Sequence, residues 1–201
     1  AGHILPGLIQ QLWQQRDAAK KAADAPLSQA IKIIMNSFYG VLGSPGCRFF
    51  DARLASSITL RGHLILNRTR DYIEQAGHRV IYGDTDSVFV WIREARDDAQ
   101  ALAAGNTLQR DLNAWWRQTV EEEFGLDSVL EVEFETHFKR FLMPTVRGSD
   151  MGSKKRYAGV VAGPQGDRLV FKGLENVRTD WTRLAREFQE ELYRRIFAQE
   201  P

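Results

Sequence analysis

Apolar side chains recur at three- and four-residue spacing along much of the chain, which predicts several amphipathic helices. Leu5, Leu8, Ile9, Leu12 and Trp13 mark a helix over 4–24, broken at Asp24-Ala25-Pro26. Ile31, Ile34, Met35 and Phe38 mark a second over 28–42, ended by Gly43-Ser44-Pro45-Gly46. Two helices joined by so short a break form an antiparallel hairpin. Ala55, Ile58, Gly62, Ile65, Thr69, Tyr72 and Ala76 predict a long helix over 54–76, with Gly62 at a close approach to a sheet and Gly77 as the stop. Val80-Ile81-Tyr82 and Val88-Phe89-Val90-Trp91-Ile92 read as strands of a tight hairpin around Gly83-Asp84-Thr85-Asp86-Ser87. A helix over 107–124 follows, with Asn106 and Gln109 spaced as a capping box. Residues 129–135 alternate apolar and acidic, predicting a strand with one wet face. Strands are also expected over 156–162 and 168–173. A last helix over 181–198 carries Trp181, Leu184, Phe188, Leu192 and Ile196. The layout predicts an α+β fold, an antiparallel sheet with helices on one face, plus the two-helix hairpin and a C-terminal helix.

Composition changes this picture little. At 43% hydrophobic and 26% charged, 201 residues can bury a core and are not disordered as a whole. One cysteine, Cys47, excludes an intrachain disulfide, and nothing points to secretion. No apolar run is long enough to cross a membrane, so no membrane partner is expected. Charge adds more. The formal net charge is +1, yet six bases and one acid lie between Lys139 and Tyr157, while seven acids and no base lie between Glu121 and Glu135. Such strips are commonly solvated faces, and Glu131, Glu133 and Glu135 are read as that.

The hairpin tip carries the chemistry. Asp84 and Asp86 stand two residues apart at a turn between apolar strands. Two carboxylates about 5 Å apart repel by roughly 3 kcal/mol at an effective dielectric near 20, which a cation offsets. Mg²⁺ takes oxygen ligands and retains waters and phosphate oxygens. Taken alone, Gly-Asp-Thr-Asp is also ordinary turn sequence.

Its neighbours decide between the two. Lys32-Ile33-Ile34-Met35-Asn36-Ser37-Phe38-Tyr39-Gly40, then 41 residues, then Tyr82-Gly83-Asp84-Thr85-Asp86-Ser87, resembles family B DNA polymerases. Lys154-Lys155-Arg156-Tyr157 matches the family's basic primer-strand motif. Lys172-Gly173 followed by Arg178-Thr179-Asp180 matches a fourth, with Thr179 in place of the family's usual second arginine. The resemblance runs from about residue 4 to the C-terminus. It implies fingers over 1–43, palm over 44–175 and the start of the thumb over 176–201. It also implies a DNA-directed DNA polymerase of replication and repair, adding deoxynucleotides to a primer 3′-hydroxyl with two Mg²⁺ ions in the full-length enzyme, in the bacterial cytoplasm at the nucleoid.

Roles follow by match. Asp84 and Asp86 become catalytic metal ligands, Asp86 the stronger. Arg16, Lys20 and Lys32 become a basic clamp for the triphosphate, with Asn36 and Tyr39 on the face toward the incoming nucleotide. The i, i+4 pairs Arg16–Lys20 and Lys32–Asn36 each share a helix face. Lys154, Lys155 and Tyr157 become primer-strand contacts, and strand alternation would aim Lys155 and Tyr157 the same way. Lys172 and Arg178 become backbone contacts that position the duplex. The implied partners are primer–template DNA and a deoxynucleoside triphosphate, with any sliding clamp contacted through regions outside this sequence. The family's Asp-x-x-Ser-Leu-Tyr-Pro-Ser motif is missing, since no Tyr-Pro pair occurs, and so are an exonuclease domain and most of a thumb. The chain alone is therefore expected to be inactive. The rival readings are a non-catalytic nucleic-acid-binding module, or another nucleotidyltransferase built on a similar palm.

Overall fold

A computed structural model of the chain describes residues 4–145, 148, 155–164 and 166–199. Contacts divide it into two compact units, residues 1–65 and 66–201.

The first unit is built on α1 (Ile4–Lys21), α2 (Ala25–Leu42) and the first half of α3 (Ala52–Gln75). The α1–α2 turn is encoded locally. Ala23 takes a left-handed φ of 56°, and the Asp24 carboxylate accepts from Leu27 N at 3.0 Å, capping α2. Pro26 falls in the first turn of α2, where its missing N–H costs nothing. The expected break therefore closes α1 at Lys21 and caps α2 with Asp24. Ala19 and Ile31 are buried in the hairpin, while Ile34, expected on the inner face of α2, is 46% exposed. The expected close approach of Gly62 is not seen: a Cβ there would meet no atom within 4 Å among the described residues.

The second unit begins with the C-terminal half of α3. That half packs on α4 (Asp98–Phe124) through the buried stripe Leu112, Trp116 and Thr119. Trp116 Nε1 donates to Thr69 Oγ1 at 3.0 Å, and the Tyr72 and Trp115 rings lie 4.8 Å apart. Helix α4 starts well before Thr107. Asp97 is its N-cap, accepting from Gln100 N at 2.8 Å, and Asn106 lies inside it. No capping box forms, and Gly105 does not break the helix. A Cβ at Gly105 would sit 2.7–3.0 Å from the Phe134 ring, so the glycine makes room for that side chain.

Residues 129–135 pair with no strand among the described residues. Asn113 on α4 clasps Val132, its side chain donating to Val132 O and accepting from Val132 N, both at 2.8 Å. Gln109 accepts from Phe134 N at 2.9 Å. Side-chain amides thus take the place of a neighbouring strand.

The strands form two antiparallel sheets. β1 (Arg79–Asp84) and β2 (Ser87–Trp91) make the expected hairpin. β3 (Arg140–Leu142), β4 (Tyr157–Val161) and β5 (Arg168–Lys172) make a three-stranded sheet in that order. On one face of it, Ala158, Val160, Leu142, Leu169 and Phe171 meet Tyr193 and Phe197 of α5 (Arg183–Ala198), with Leu174 in the same core. On the other face, Phe89 of the hairpin gathers Phe141 and Tyr157 at 5.1 and 5.2 Å. Phe138 lies over Gly159, leaving no space for a Cβ there. Helix α5 does not bury the expected stripe: Leu184 and Phe188 are 77% and 68% exposed, with Leu192 and Ile196 also exposed. It is apolar on two sides, and the sheet takes the side carrying Tyr193 and Phe197.

Candidate functional site

A bulge in β1 aims the hairpin's polar residues. Val80 pairs with Val90, but Tyr82 pairs with Phe89, so the register slips by one between them. Cross-strand partners share a face. The slip therefore turns Tyr82, and Asp84 two residues later, toward the side of Phe89 and the three-stranded sheet. The tip is tight: Asp84 pairs with Ser87, and Asp86 N donates to Asp84 O at 2.6 Å. Thr85 between them has φ 53°, a left-handed conformation uncommon for a β-branched residue. Its hydroxyl donates to Asp84 Oδ1 at 3.0 Å. Backbone strain of this kind collects where a side chain must be held for function.

Across from the tip, Lys155 Nζ stands 3.4 Å from Asp84 Oδ1. Lys155 N donates to Tyr82 Oη at 2.7 Å. The acidic tip and the basic motif, 71 positions apart from Asp84 to Lys155, are thus brought together. Lys155 is not in a strand, however. It has a left-handed φ of 61°, and β4 begins at Tyr157, so the expected alternation between the two fails. Lys155 turns to the carboxylate, while the Tyr157 ring joins Phe89, Phe138 and Phe141. Burial, reinforced by the charge of Glu135, holds the Tyr157 phenol above its ordinary pKa. Lys172 pairs with Tyr157 across β4 and β5 and is exposed. Lys154 lies outside the described residues.

Other expected contacts are engaged within the fold. Arg178 forms a forked pair with Asp180, Nε to Oδ1 at 2.8 Å and Nη2 to Oδ2 at 2.6 Å. That pair holds the Asp180 carboxyl below its usual range. Arg156 pairs with Glu175, which also accepts from Gln189 of α5 at 3.3 Å, fastening the start of β4 to the final helix.

In the first unit, Lys20, Lys32, Asn36 and Tyr39 are exposed. Arg16 is half-buried, and its Nε is enclosed with no hydrogen-bond partner among the described residues. The expected Arg16–Lys20 pair is therefore uneven: one side chain is drawn into its unit, the other is in water. Tyr39 Oη and Thr59 Oγ1 share a hydrogen bond of 2.8 Å between α2 and α3.

Asp84 and Asp86 supply the hard oxygen donors that Mg²⁺ takes, and the lysine beside Asp84 shows a local demand for positive charge. No group of three or more potential ligand side chains occurs among the described residues. Two carboxylates alone do not complete a Mg²⁺ shell, so water and phosphate oxygens would have to supply the rest. Sequence reasoning overlooked the hydroxyl of Tyr82 and the close approach of the Lys155 carbonyl oxygen to Gly173. The signal for Tyr82 was there, because it precedes Asp84 by two residues on one strand face.

Comparison with known proteins shows the family. The family model described as DNA polymerase family B matches residues 3–201. DNA polymerase II of Escherichia coli (strain K12) is 58% identical over 199 residues, covering 99% of this chain and 25% of that protein. A DNA polymerase of Thermococcus gorgonarius is 31% identical over 198 residues, covering 92% of this chain and 23% of that protein. The solved family B DNA polymerase of Pyrobaculum calidifontis superposes with a TM-score of 0.56 at 27% identity, covering 96% of this chain and 22% of that one. The chain thus spans about a quarter of the length of these relatives. No helix is long and apolar enough to cross a membrane among the described residues. The chain belongs to DNA polymerase family B.

Proposed function

We propose that this chain is the part of a DNA-directed DNA polymerase that holds the incoming nucleotide and carries two of the carboxylates for nucleotidyl transfer. Its partners are primer–template DNA and a deoxynucleoside triphosphate, met at the nucleoid in the bacterial cytoplasm. The fingers are 1–43, the palm 44–175 and the start of the thumb 176–201.

The observation that carries this reading is Lys155 Nζ at 3.4 Å from Asp84 Oδ1, a basic motif set against an acidic tip in a family B chain. Asp84 and Asp86 would hold Mg²⁺. When bound, a pair of such ions stabilises the attacking and leaving oxygens of an in-line displacement. Lys155, with Lys154, holds primer-strand phosphate near its 3′ end. Tyr157 lends a rigid ring beside them, and Lys172 and Arg178 hold the duplex backbone. Arg16, Lys20 and Lys32 bind triphosphate oxygens, Lys20 and Lys32 as point charges and Arg16 through its fork. Asn36 and Tyr39 face the nucleotide. The Asp-containing Tyr-Pro motif is not among these 201 residues, so the chain alone does not extend a primer.

The test is made in the full-length enzyme. Asp84→Asn and Asp86→Asn should each lower the turnover of primer extension on the order of 10²–10³-fold, with duplex binding retained. Extension that persists after both changes refutes the polymerase reading and favours a binding module. Primer extension by the 201-residue chain alone refutes the assignment of the missing motif.

A further inference from the structure

Lys155 is an unusual residue to find at φ 61°, because a left-handed backbone is uncommon for side chains other than glycine, asparagine and aspartate. Two neighbours enforce it. On one side its N–H donates to Tyr82 Oη at 2.7 Å. On the other its carbonyl oxygen lies against Gly173, where any Cβ would collide with it. Gly173 is itself left-handed, at φ 60°. The tip of the ammonium then reaches Asp84, two residues beyond Tyr82 on the same strand face. The strand of the acidic turn thus holds Lys155 twice, by backbone through Tyr82 and by side chain through Asp84.

We propose that Tyr82 is a positioning residue: its hydroxyl fixes the main chain of Lys155, so that the lysine meets the primer strand in one orientation. This rests on the proposed role of Lys155 as a primer-strand contact. The ring of Tyr82 does a separate job. It packs 5.5 Å from Phe89, and a phenylalanine would keep that contact while losing only the hydroxyl. Lys155 is exposed, so water can satisfy its freed N–H. Loss of the hydroxyl therefore shows in the aim of the lysine more than in the stability of the fold.

The experiment uses the full-length polymerase carrying Tyr82→Phe, Lys155→Ala, or both. Primer–template affinity is measured across a salt series, together with KM for primer–template, KM for nucleotide and the melting temperature. Lys155→Ala should weaken primer–template binding and lower the slope of log K against log salt by about 0.9. Tyr82→Phe should weaken it roughly two- to tenfold, as one lost hydrogen bond does, and raise KM for primer–template with KM for nucleotide and melting temperature unchanged. The double variant should bind no more weakly than Lys155→Ala alone. Additive losses overturn the proposal, because Tyr82 would then act without Lys155. So does a Tyr82→Phe enzyme that binds like the parent while Lys155→Ala does not, or one whose melting temperature falls and whose two KM values rise together. If Lys155→Ala itself binds like the parent, the primer-strand role falls first and the positioning role with it.

Discussion

Single residues in this chain matter most where a buried polar group has one partner. Trp116 is 3% exposed, and its indole N–H has Thr69 Oγ1 as acceptor. Thr69→Val keeps the shape and removes the acceptor, leaving a buried donor unpaired. The expected cost is about 1–3 kcal/mol, read from the denaturation midpoint at unchanged slope. The same change in a Trp116→Phe background should cost little, because the donor is gone. Asp51 behaves differently, because it is only half-buried. The Arg53 guanidinium hydrogen-bonds its carboxylate, the Arg53 N–H adds a second bond, and the pKa falls from 3.8 to about 2. A depressed carboxyl stabilises the fold above its unfolded pKa and loses that contribution as pH falls through the folded value. The start of α3 should therefore loosen between about pH 4 and pH 2, seen as an Asp51 carboxyl titrating near 2 by NMR. Asp51→Asn should remove that part of the acid response.

At the scale of elements, what the sequence revealed was whatever its local chemistry settles. The α1–α2 hairpin follows from helical periodicity and an Asp-Ala-Pro start, and the Gly-Asp-Thr-Asp hairpin from apolar runs around turn residues. The misses share one cause, a partner distant in sequence. The helix expected from Thr107 starts at Asp98, and Gly105 inside it leaves room for the Phe134 ring. Residues 129–135 have a strand's alternation, but amides on α4 take their backbone bonds. Helix α5 offers two apolar sides, and only the sheet determines which is buried. At the candidate site, the carboxylates were plain from the motif. The left-handed turn of Lys155 was not, since Tyr82 and Gly173 impose it from 73 residues before and 18 after. The amide clasp can be tested directly. Asn113→Ala removes both bonds to Val132 and should speed hydrogen exchange at the Val132 amide. The half-buried pair predicts a loss of about 1–3 kcal/mol.

For the molecule as a whole, the decisive quantity is apolar surface left in water. Ile33 at 58% and Leu60 at 66% exposure lie in the first unit, and Leu184 at 77% and Phe188 at 68% in the second. On α5 the exposed residues recur every fourth position from Leu184 to Ile196, a continuous stripe rather than scattered side chains. Contiguous apolar surface of this kind drives association. The 201-residue chain should therefore bind a hydrophobic dye and self-associate as its concentration rises. The two sides of α5 should respond oppositely to mutation. Phe188→Glu should reduce dye binding and association and leave the melting temperature unchanged, because Phe188 contributes nothing to the sheet-side core. Tyr193→Ala should destabilise by about 3–5 kcal/mol, since Tyr193 is 8% exposed and packs on Phe171 at 5.4 Å. If Phe188→Glu instead lowered the melting temperature while Tyr193→Ala did not, the helix would be seated on its other side.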